Sequence, residues 1–401
     1  MNSKDPLGVW GLITLASIPL VMTLGNSMLI PVLPVFEEKI GISSLQSSLI
    51  ITSYSVSAIF LIPIAGYLSD RYGRKIVILP SLLLTLIGGV IAAYASWKIE
   101  NPFAWIVVGR ILQGVGASGA TPIILPLVGD LYKDDDEKAS ENLGVVETSN
   151  TFGKVLSPIV GAFFATILWY LPFISIAVFS LISFILVVFF IKVPRDIAKP
   201  PAFRTFLAKT KKIFSIEGPW LYTIFGIGAY VMLVLFGVLF FLSDIFEKEY
   251  GIEGVRKGVL LAVPLIVLCI TAFTIGKWIK GSLTVMKTVM ILSMIILSVS
   301  VSFVGSSDSA EILLLVISIT GLAIGALLPT LDAMITENIQ KDARGTITSI
   351  YSAARFIGVA AGPPLMSLLM KNFLAVSYIV AGGIGILLLG SIVLFIRPER
   401  T

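Results

Sequence analysis

Long apolar stretches separated by short polar segments run through the whole chain. Most are longer than the roughly 20 residues that an α-helix needs to cross a ~30 Å hydrocarbon core. Charges, glycines and prolines divide them into twelve predicted helices. These are residues 9–36, 44–68, 74–97, 103–130, 140–166, 170–192, 218–244, 257–278, 284–304, 310–335, 345–370 and 373–396. The pattern therefore predicts an all-α membrane protein with twelve transmembrane helices.

Composition supports a membrane protein. Hydrophobic residues make up 56% of the chain, charged residues only 13%, and the mean hydropathy is +0.98, which excludes an ordinary soluble domain. The charge-free run 155–191 is too long for one helix, and Trp169, Tyr170 and Pro172 mark a turn inside it. The uncharged run 6–36 exceeds the apolar core of a secretory signal, so we interpret it as a retained first span.

Several classes of chemistry are excluded by residues that the chain lacks. A single cysteine, Cys269, excludes a disulfide framework or a thiolate metal cluster, and the absence of histidine leaves carboxylates as proton carriers. No phosphate-binding G-x-x-x-x-G-K-[ST] loop or G-x-S-x-G nucleophile elbow occurs. The acidic run 134–137 is interpreted as a solvated loop rather than a divalent-cation site. We therefore expect no enzyme, catalytic residue, metal or cofactor.

A basic, proline-containing segment divides the chain into two halves. Residues 193–217 are predicted to be a cytoplasmic linker between an N-terminal bundle, 1–192, and a C-terminal bundle, 218–401. With the N-terminus inside, 20 of the 29 lysines and arginines lie on the cytoplasmic side, 6 lie outside and 3 lie within spans. This asymmetry places both termini in the cytoplasm. It also explains the net charge of +5 without a nucleic-acid partner.

The two halves carry related glycine and proline patterns. The fifth helix contains G-x-x-x-S-P from Gly153 to Pro158, and the eleventh contains G-x-x-x-G-P from Gly358 to Pro363, 205 residues later. The same offset aligns Asn150 with Arg355. Paired halves with helix-breaking residues at matching positions are typical of secondary transporters.

Ionisable residues inside the predicted spans are the candidates for proton coupling, because charges within a membrane are costly and usually functional. Glu147 and Lys154, seven residues apart, share one helix face. The other candidates are Arg110, Asp332 and Arg355. Together the five carry +1 if all are ionised, so either Lys154 is neutral or an anionic substrate completes the pairing.

Purely structural roles for the same charged residues remain open. Glu147 could form a fixed ion pair with Lys154 or Arg110 that only holds helices together. Asp332 could be a residue of the cytoplasmic rim, and Asp244 and Glu337 are interpreted as solvated residues at span ends.

Four motifs carry a family resemblance. The segment 66–75, GYLSDRYGRK, resembles the signature loop of the major facilitator superfamily, and Arg110 to Gly116 resembles its second motif. The fifth helix is similar to the antiporter motif at Gly144, Gly153, Pro158 and Gly161, although Ser157 and Ala162 replace two of its glycines. The segment 29–34, LIPVLP, resembles the drug:proton antiporter branch of bacterial twelve-helix multidrug exporters.

The resemblance implies two pseudo-symmetric six-helix bundles that work by alternating access. Its signature loop implies a latch that holds the halves closed on the cytoplasmic side, formed by Gly66, Asp70, Arg71, Gly73 and Arg74; a turn that only fixes topology is the alternative. The small residues of the antiporter motif imply a seal against proton leak, with tight packing expected on the opposite half. Simple helix packing is the alternative.

Helices 1, 4, 7 and 10 would line the central cavity in this superfamily. The substrate-binding candidates on these helices are Asn26, Gln113, Tyr230, Met232 and Phe236, and Asn150 on the fifth helix is a further candidate. An acidic residue often lies near the position of Asn26 in this branch, but Asn26 is uncharged.

The expected function is proton-coupled antiport that exports small amphipathic compounds or drugs across the bacterial plasma membrane. The expected partners are this substrate, protons and the lipid bilayer, and we expect a monomer. Alternatives are a proton symporter or uniporter that imports a small organic solute, and a lipid-handling transporter.

Overall fold

The computed structural model describes residues 8–132, 136–191, 203–279, 282–306, 309–339, 341–370 and 374–396. Within these ranges the regular secondary structure is entirely helical. The α-helices are α1 Gly8–Ser27, α2 Leu33–Ile40, α3 Ser44–Tyr72, α4 Arg74–Lys98, α5 Phe103–Leu131, α6 Asp136–Ile167, α7 Leu171–Phe190, α8 Phe203–Lys248, α9 Gly254–Trp278, α10 Leu283–Val304, α11 Ala310–Asn338, α12 Lys341–Leu369 and α13 Leu374–Phe395.

The predicted spans and the observed helices agree closely, with two differences. The first span ends as a regular helix at Ser27 and continues through the 3₁₀ turn Ile30–Val32 into α2. Pro31 and Pro34 lie in this region, and proline lacks the N–H that a continuous helix needs. The second difference is α8, which begins at Phe203, inside the predicted linker 193–217, and continues into the seventh span. Residues 192–202 lie outside the described residues.

Eleven helical segments among the described residues are long and apolar enough to cross a membrane. The first of them, Gly8–Ile40, combines α1, the 3₁₀ turn and α2. The remaining long helix, α6, has 32 residues but is more polar, because it carries Glu147, Asn150 and Lys154 along its length. With α6 counted, the described part of the chain has the twelve long helices that the hydrophobic pattern predicts.

The chain folds as two compact units, Met1–Phe203 and Arg204–Thr401. In unit 1, α1 packs on α6 and α7, whereas α5 packs on α3 and α4, and α4 also contacts α7. In unit 2, α9 packs on α11, and α10 packs on both α11 and α13.

Candidate functional site

Arg110 lies at the centre of a polar cluster inside unit 1, on α5, and it is fully buried. Its guanidinium donates from Nε to the carbonyl of Ile50 at 2.9 Å and from Nη1 to the carbonyl of Gly25 at 2.9 Å. It also stacks on the ring of Tyr54, with Cζ 4.5 Å from the ring centroid. Because Gly25 is on α1 and Ile50 is on α3, one side chain joins three helices.

Two predicted substrate-binding residues complete this cluster. Arg110 donates to Oε1 of Gln113 at 2.6 Å and to Oδ1 of Asn26 at 3.1 Å. Both residues are buried, and Nε2 of Gln113 has no hydrogen-bond partner among the described residues. Within that same part of the chain no carboxylate lies within 4.0 Å of Arg110, so neutral oxygens alone accept its hydrogen bonds. The contact of these two residues with a substrate stays a prediction.

The remaining substrate candidates on α8 are also buried. Tyr230 donates its hydroxyl to the carbonyl of Ala381 at 2.9 Å, which joins α8 to α13. Met232 and Phe236 are 5% and 7% exposed. The contact of these three residues with a substrate stays a prediction.

Glu147 is exposed on α6 and is connected to α1 through Asn150. The side-chain amide of Asn150 donates to Oε1 of Glu147 at 3.1 Å, and its Oδ1 accepts from the hydroxyl of Thr23 at 2.5 Å. Among the described residues Glu147 forms no ion pair with Lys154 or Arg110 within 4.0 Å. The fixed ion pair that the sequence left open is therefore not observed, and a three-residue hydrogen-bond chain, Thr23–Asn150–Glu147, takes its place.

Asp332 and Arg355, which were separate candidates in the sequence, form an ion pair in unit 2. Nη1 of Arg355 lies 3.6 Å from Oδ1 of Asp332, and the pair joins α11 to α12. Arg355 also lies over the buried ring of Tyr351, with Cζ 5.6 Å from its centroid. The side chain of Asp332 is 48% exposed and that of Arg355 is 21% exposed, so the pair is only partly buried.

Arg74 stabilises the signature loop between α3 and α4 through three polar contacts. Arg74 forms an ion pair with Asp70, donates to the Ser69 hydroxyl at 2.7 Å, and donates from Nε to Asp130 at 2.9 Å. Gly73 has φ of 103°, a conformation that favours glycine and lets α3 turn into α4.

Asp130, at the end of α5, was not identified from the sequence. Nothing in its local sequence marks it, and it contacts Arg74 only because α5 packs against α3 and α4. Arg71 is exposed and donates to the hydroxyl of Tyr67 at 3.2 Å. The backbone carbonyl of Gly66 accepts from the Ser69 hydroxyl at 2.7 Å. These contacts shape the loop within unit 1, and its role as a latch between the halves stays a prediction.

Gly153 and Gly161 of α6 pack on the first helix of the same unit, which corrects the expectation of the opposite half for these two residues, and the role of the motif as a seal stays a prediction. A Cβ on Gly153 would lie 3.3 Å from side-chain atoms of Leu20 and Thr23 on α1. A Cβ on Gly161 would overlap the carbonyl of Met28, whereas one on Gly144 would meet nothing within 4 Å. The reason is geometric, because Gly153 and Gly161 lie about two turns apart on the face that α1 covers. Pro158 is buried between them.

The interpretation of Asp244 as a solvated residue is wrong. It is 8% exposed and Oδ1 lies 2.6 Å from Nζ of Lys248, so it is not a solvated residue at the end of a span. Glu337 is exposed, as its interpretation requires.

Comparison with known families identifies the class of protein. The family model described as Major Facilitator Superfamily matches residues 15–286 and 285–401. The chain therefore belongs to the major facilitator superfamily, and it is a multi-pass membrane transporter rather than an enzyme.

A relative that matches most of the chain is an exporter, and a second relative matches less than half of it. The chain is 51% identical over 361 residues to the Bacillibactin exporter of Bacillus subtilis (strain 168), a match that covers 90% of each chain. It is 24% identical over 172 residues to the Quinolone resistance protein NorA of Staphylococcus aureus, which covers 43% of this chain and 42% of that protein. The chain is thus an exporter of a small compound.

Solved structures show the same fold. The crystal structure of the human organic anion transporter MFSD10 (TETRAN) superimposes with a TM-score of 0.74 and 16% identity, over 95% of this chain and 98% of that one. The D-xylose-proton symporter superimposes with a TM-score of 0.78 and 15% identity, over 97% and 98%. The predicted all-α fold of this superfamily is confirmed.

Proposed function

We propose that this transporter exports bacillibactin, or a compound closely similar to it, in exchange for protons. The observation that carries the substrate is the 51% identity to the Bacillibactin exporter across 90% of both chains. The shorter and weaker similarity to the Quinolone resistance protein NorA makes export of quinolones the second candidate. Because the chain is an exporter, the importing transporters that the sequence left open as alternatives are excluded.

Glu147 is the proposed proton carrier. It is a carboxyl group on a membrane helix, it is exposed, and its hydrogen-bond partner among the described residues is a neutral amide. A carboxyl group on a membrane helix can serve as a proton carrier when its surroundings change between wet and apolar during the cycle. Asn150 links this group to Thr23, so a change of charge on α6 can alter the contact of α6 with α1.

The ion pair between Asp332 and Arg355 is the proposed second site of coupling. At 3.6 Å the two groups attract each other, but they are farther apart than the 2.7–2.9 Å of a strong charge-assisted hydrogen bond. Protonation of Asp332, or an anionic group of a substrate beside Arg355, would weaken the link between α11 and α12. The net charge of +1 on the five intramembrane candidates favours an anionic substrate group over a cationic one.

The experiment measures proton movement in proteoliposomes that contain the purified protein. Bacillibactin added to acid-loaded vesicles should release protons, and Glu147→Gln should reduce this release by at least about tenfold, since it removes the titrating group but keeps a hydrogen-bond acceptor for Asn150. Glu141→Gln is the matched control, because Glu141 is an exposed glutamate on the same helix. It should behave as the parent protein does.

The outcomes separate substrate from coupling. Full proton-coupled export by Glu147→Gln would remove Glu147 from the mechanism. Movement of labelled bacillibactin without any proton movement would show a uniporter. Quinolone-driven proton release without a response to bacillibactin would favour the second candidate.

A further inference from the structure

The turn that follows the first long helix of each unit occurs twice in the sequence. Both copies read E-x-x-x-G-I-x-x-x-x-[S/K], at an offset of 210 residues. The first copy extends from Glu37 to Ser47, and the second from Glu247 to Lys257. The two copies thus share the glutamate, the glycine and the isoleucine, and the last residue is serine in the first copy and lysine in the second.

The two copies have the same backbone. Gly41 and Gly251 have φ of 71° and 61°, the left-handed conformation that ends a helix and that favours glycine. Two residues later an extended residue, Ser43 or Glu253, precedes the first residue of the next helix. The repeated sequence therefore builds a repeated helix–turn–helix corner.

The glutamate of each copy contacts the first turns of the next helix. Glu37 accepts hydrogen bonds from the hydroxyls of Ser47 at 2.6 Å and Ser44 at 2.9 Å. Glu247 forms an ion pair with Lys257. Ser47 and Lys257 are 0% and 1% exposed, so the glutamate is bound to a buried group in both units.

Counting the predicted crossings indicates that both corners reach the same side of the membrane. Six long helices, α3 to α8, separate the end of α2 from the end of α8, and an even number of crossings returns the chain to the side where it started. With the N-terminus in the cytoplasm, this is the outer side. The two corners differ in strength, because an ion pair with a buried lysine is far more costly to break than a hydrogen bond to a hydroxyl.

We propose that this corner is a duplicated clip, and that Glu247 and Lys257 are positioning residues for export. Alternating access requires the helices of one unit to move together, and a clip that stays closed transmits movement of the outer end of α8 to α9. If the clip opened, buried Lys257 would lose its ion pair with Glu247 and keep only the weaker attraction of Glu253 and Asp244, so the pair favours the closed corner throughout the cycle.

The experiment measures turnover and KM for bacillibactin efflux, together with the melting temperature. Lys257→Met and Glu247→Gln should each lower turnover by about tenfold or more and leave KM within about twofold, because the clip lies away from the proposed coupling residues. Lys257→Arg keeps the cation, so its turnover should stay close to that of the parent protein. The exchange Glu247→Lys with Lys257→Glu should recover most of the turnover. Glu38→Gln is the control, since Glu38 is exposed beside Glu37 and its ion-pair partner among the described residues is half-exposed Lys39.

Two results would overturn the proposal. One is a folded Lys257→Met variant with parental turnover. The other is an exchange variant that melts like the parent but recovers no turnover. If the parent protein does not move bacillibactin, only the substrate assignment fails. Melting temperatures then test whether Glu247 and Lys257 act as a pair. Coupling between the Glu247 and Lys257 substitutions in a double-mutant cycle supports it, and additive effects contradict it.

Discussion

At the scale of single residues, Arg110 shows how a buried charge is accommodated without a carboxylate in the described part of the chain. Four of its hydrogen bonds go to neutral oxygens on α1, α3 and α5. A lysine keeps the charge, but it has three donors on one nitrogen and lacks the planar fork that reaches several acceptors at once. We therefore expect that lysine cannot replace Arg110 without a loss of stability.

The substitution Arg110→Lys should lower the free energy of unfolding of unit 1 by about 3 kcal/mol, because buried acceptors lose their charged donors. Thermal unfolding of the purified protein in detergent measures the effect. Arg71→Lys is the control, since Arg71 is an exposed arginine that contacts Tyr67 and Tyr72 on its own helix. A loss below about 1 kcal/mol for Arg110→Lys would show that the cluster adapts to a smaller cation.

The sequence could identify charged residues in the spans but not most of their partners. The contact between Glu147 and Asn150 is local, three residues along one helix, and such pairs follow from helical geometry. Thr23 and Asp130 are partners only because distant segments pack together, which no local pattern contains. The duplicated corner was present in the sequence as the repeat at 210 residues, but glycine and isoleucine alone did not mark it as a contact.

At the scale of helices, the glycines of α6 test whether the antiporter-like motif is a packing motif. Gly161→Ala should destabilise the protein by about 1–3 kcal/mol, because the added Cβ overlaps the carbonyl of Met28. Gly144→Ala on the same helix is the matched control, since a Cβ there meets nothing within 4 Å and alanine favours the helix by up to about 1 kcal/mol. Melting temperatures of both variants provide the comparison, and equal values would contradict the packing assignment.

Unit 2 repeats this packing, so the glycine repeat has a physical basis. A Cβ on Gly358 would overlap the carbonyl of Ala229, and one on Gly362 would lie 2.7 Å from the carbonyl of Leu233, both on α8. Each unit thus presses its fifth long helix on its first. The hydrophobic pattern predicted the helices themselves well, since each must satisfy its own backbone within the membrane. It could not predict the partner of a helix, because a small residue allows close approach without specifying which helix approaches.

At the scale of the whole molecule, the asymmetry of lysine and arginine predicts the orientation. With 20 of the 29 basic residues on one side, the termini and the 193–217 segment should be cytoplasmic, and the turn after α4 should be outside. This orientation also determines which surface carries the duplicated clip. One labelling experiment tests it.

Single cysteines in a Cys269→Ser background provide that experiment. Trp97→Cys, at an exposed position near the end of α4, should react with a membrane-impermeant maleimide on intact cells. Lys212→Cys, exposed on the first part of α8, should react only after the cells are permeabilised, because it lies among the basic residues of the cytoplasmic side. The Cys269→Ser parent should remain unlabelled in both conditions. Labelling of Lys212→Cys on intact cells would contradict the predicted orientation and would place the clip at the cytoplasmic surface.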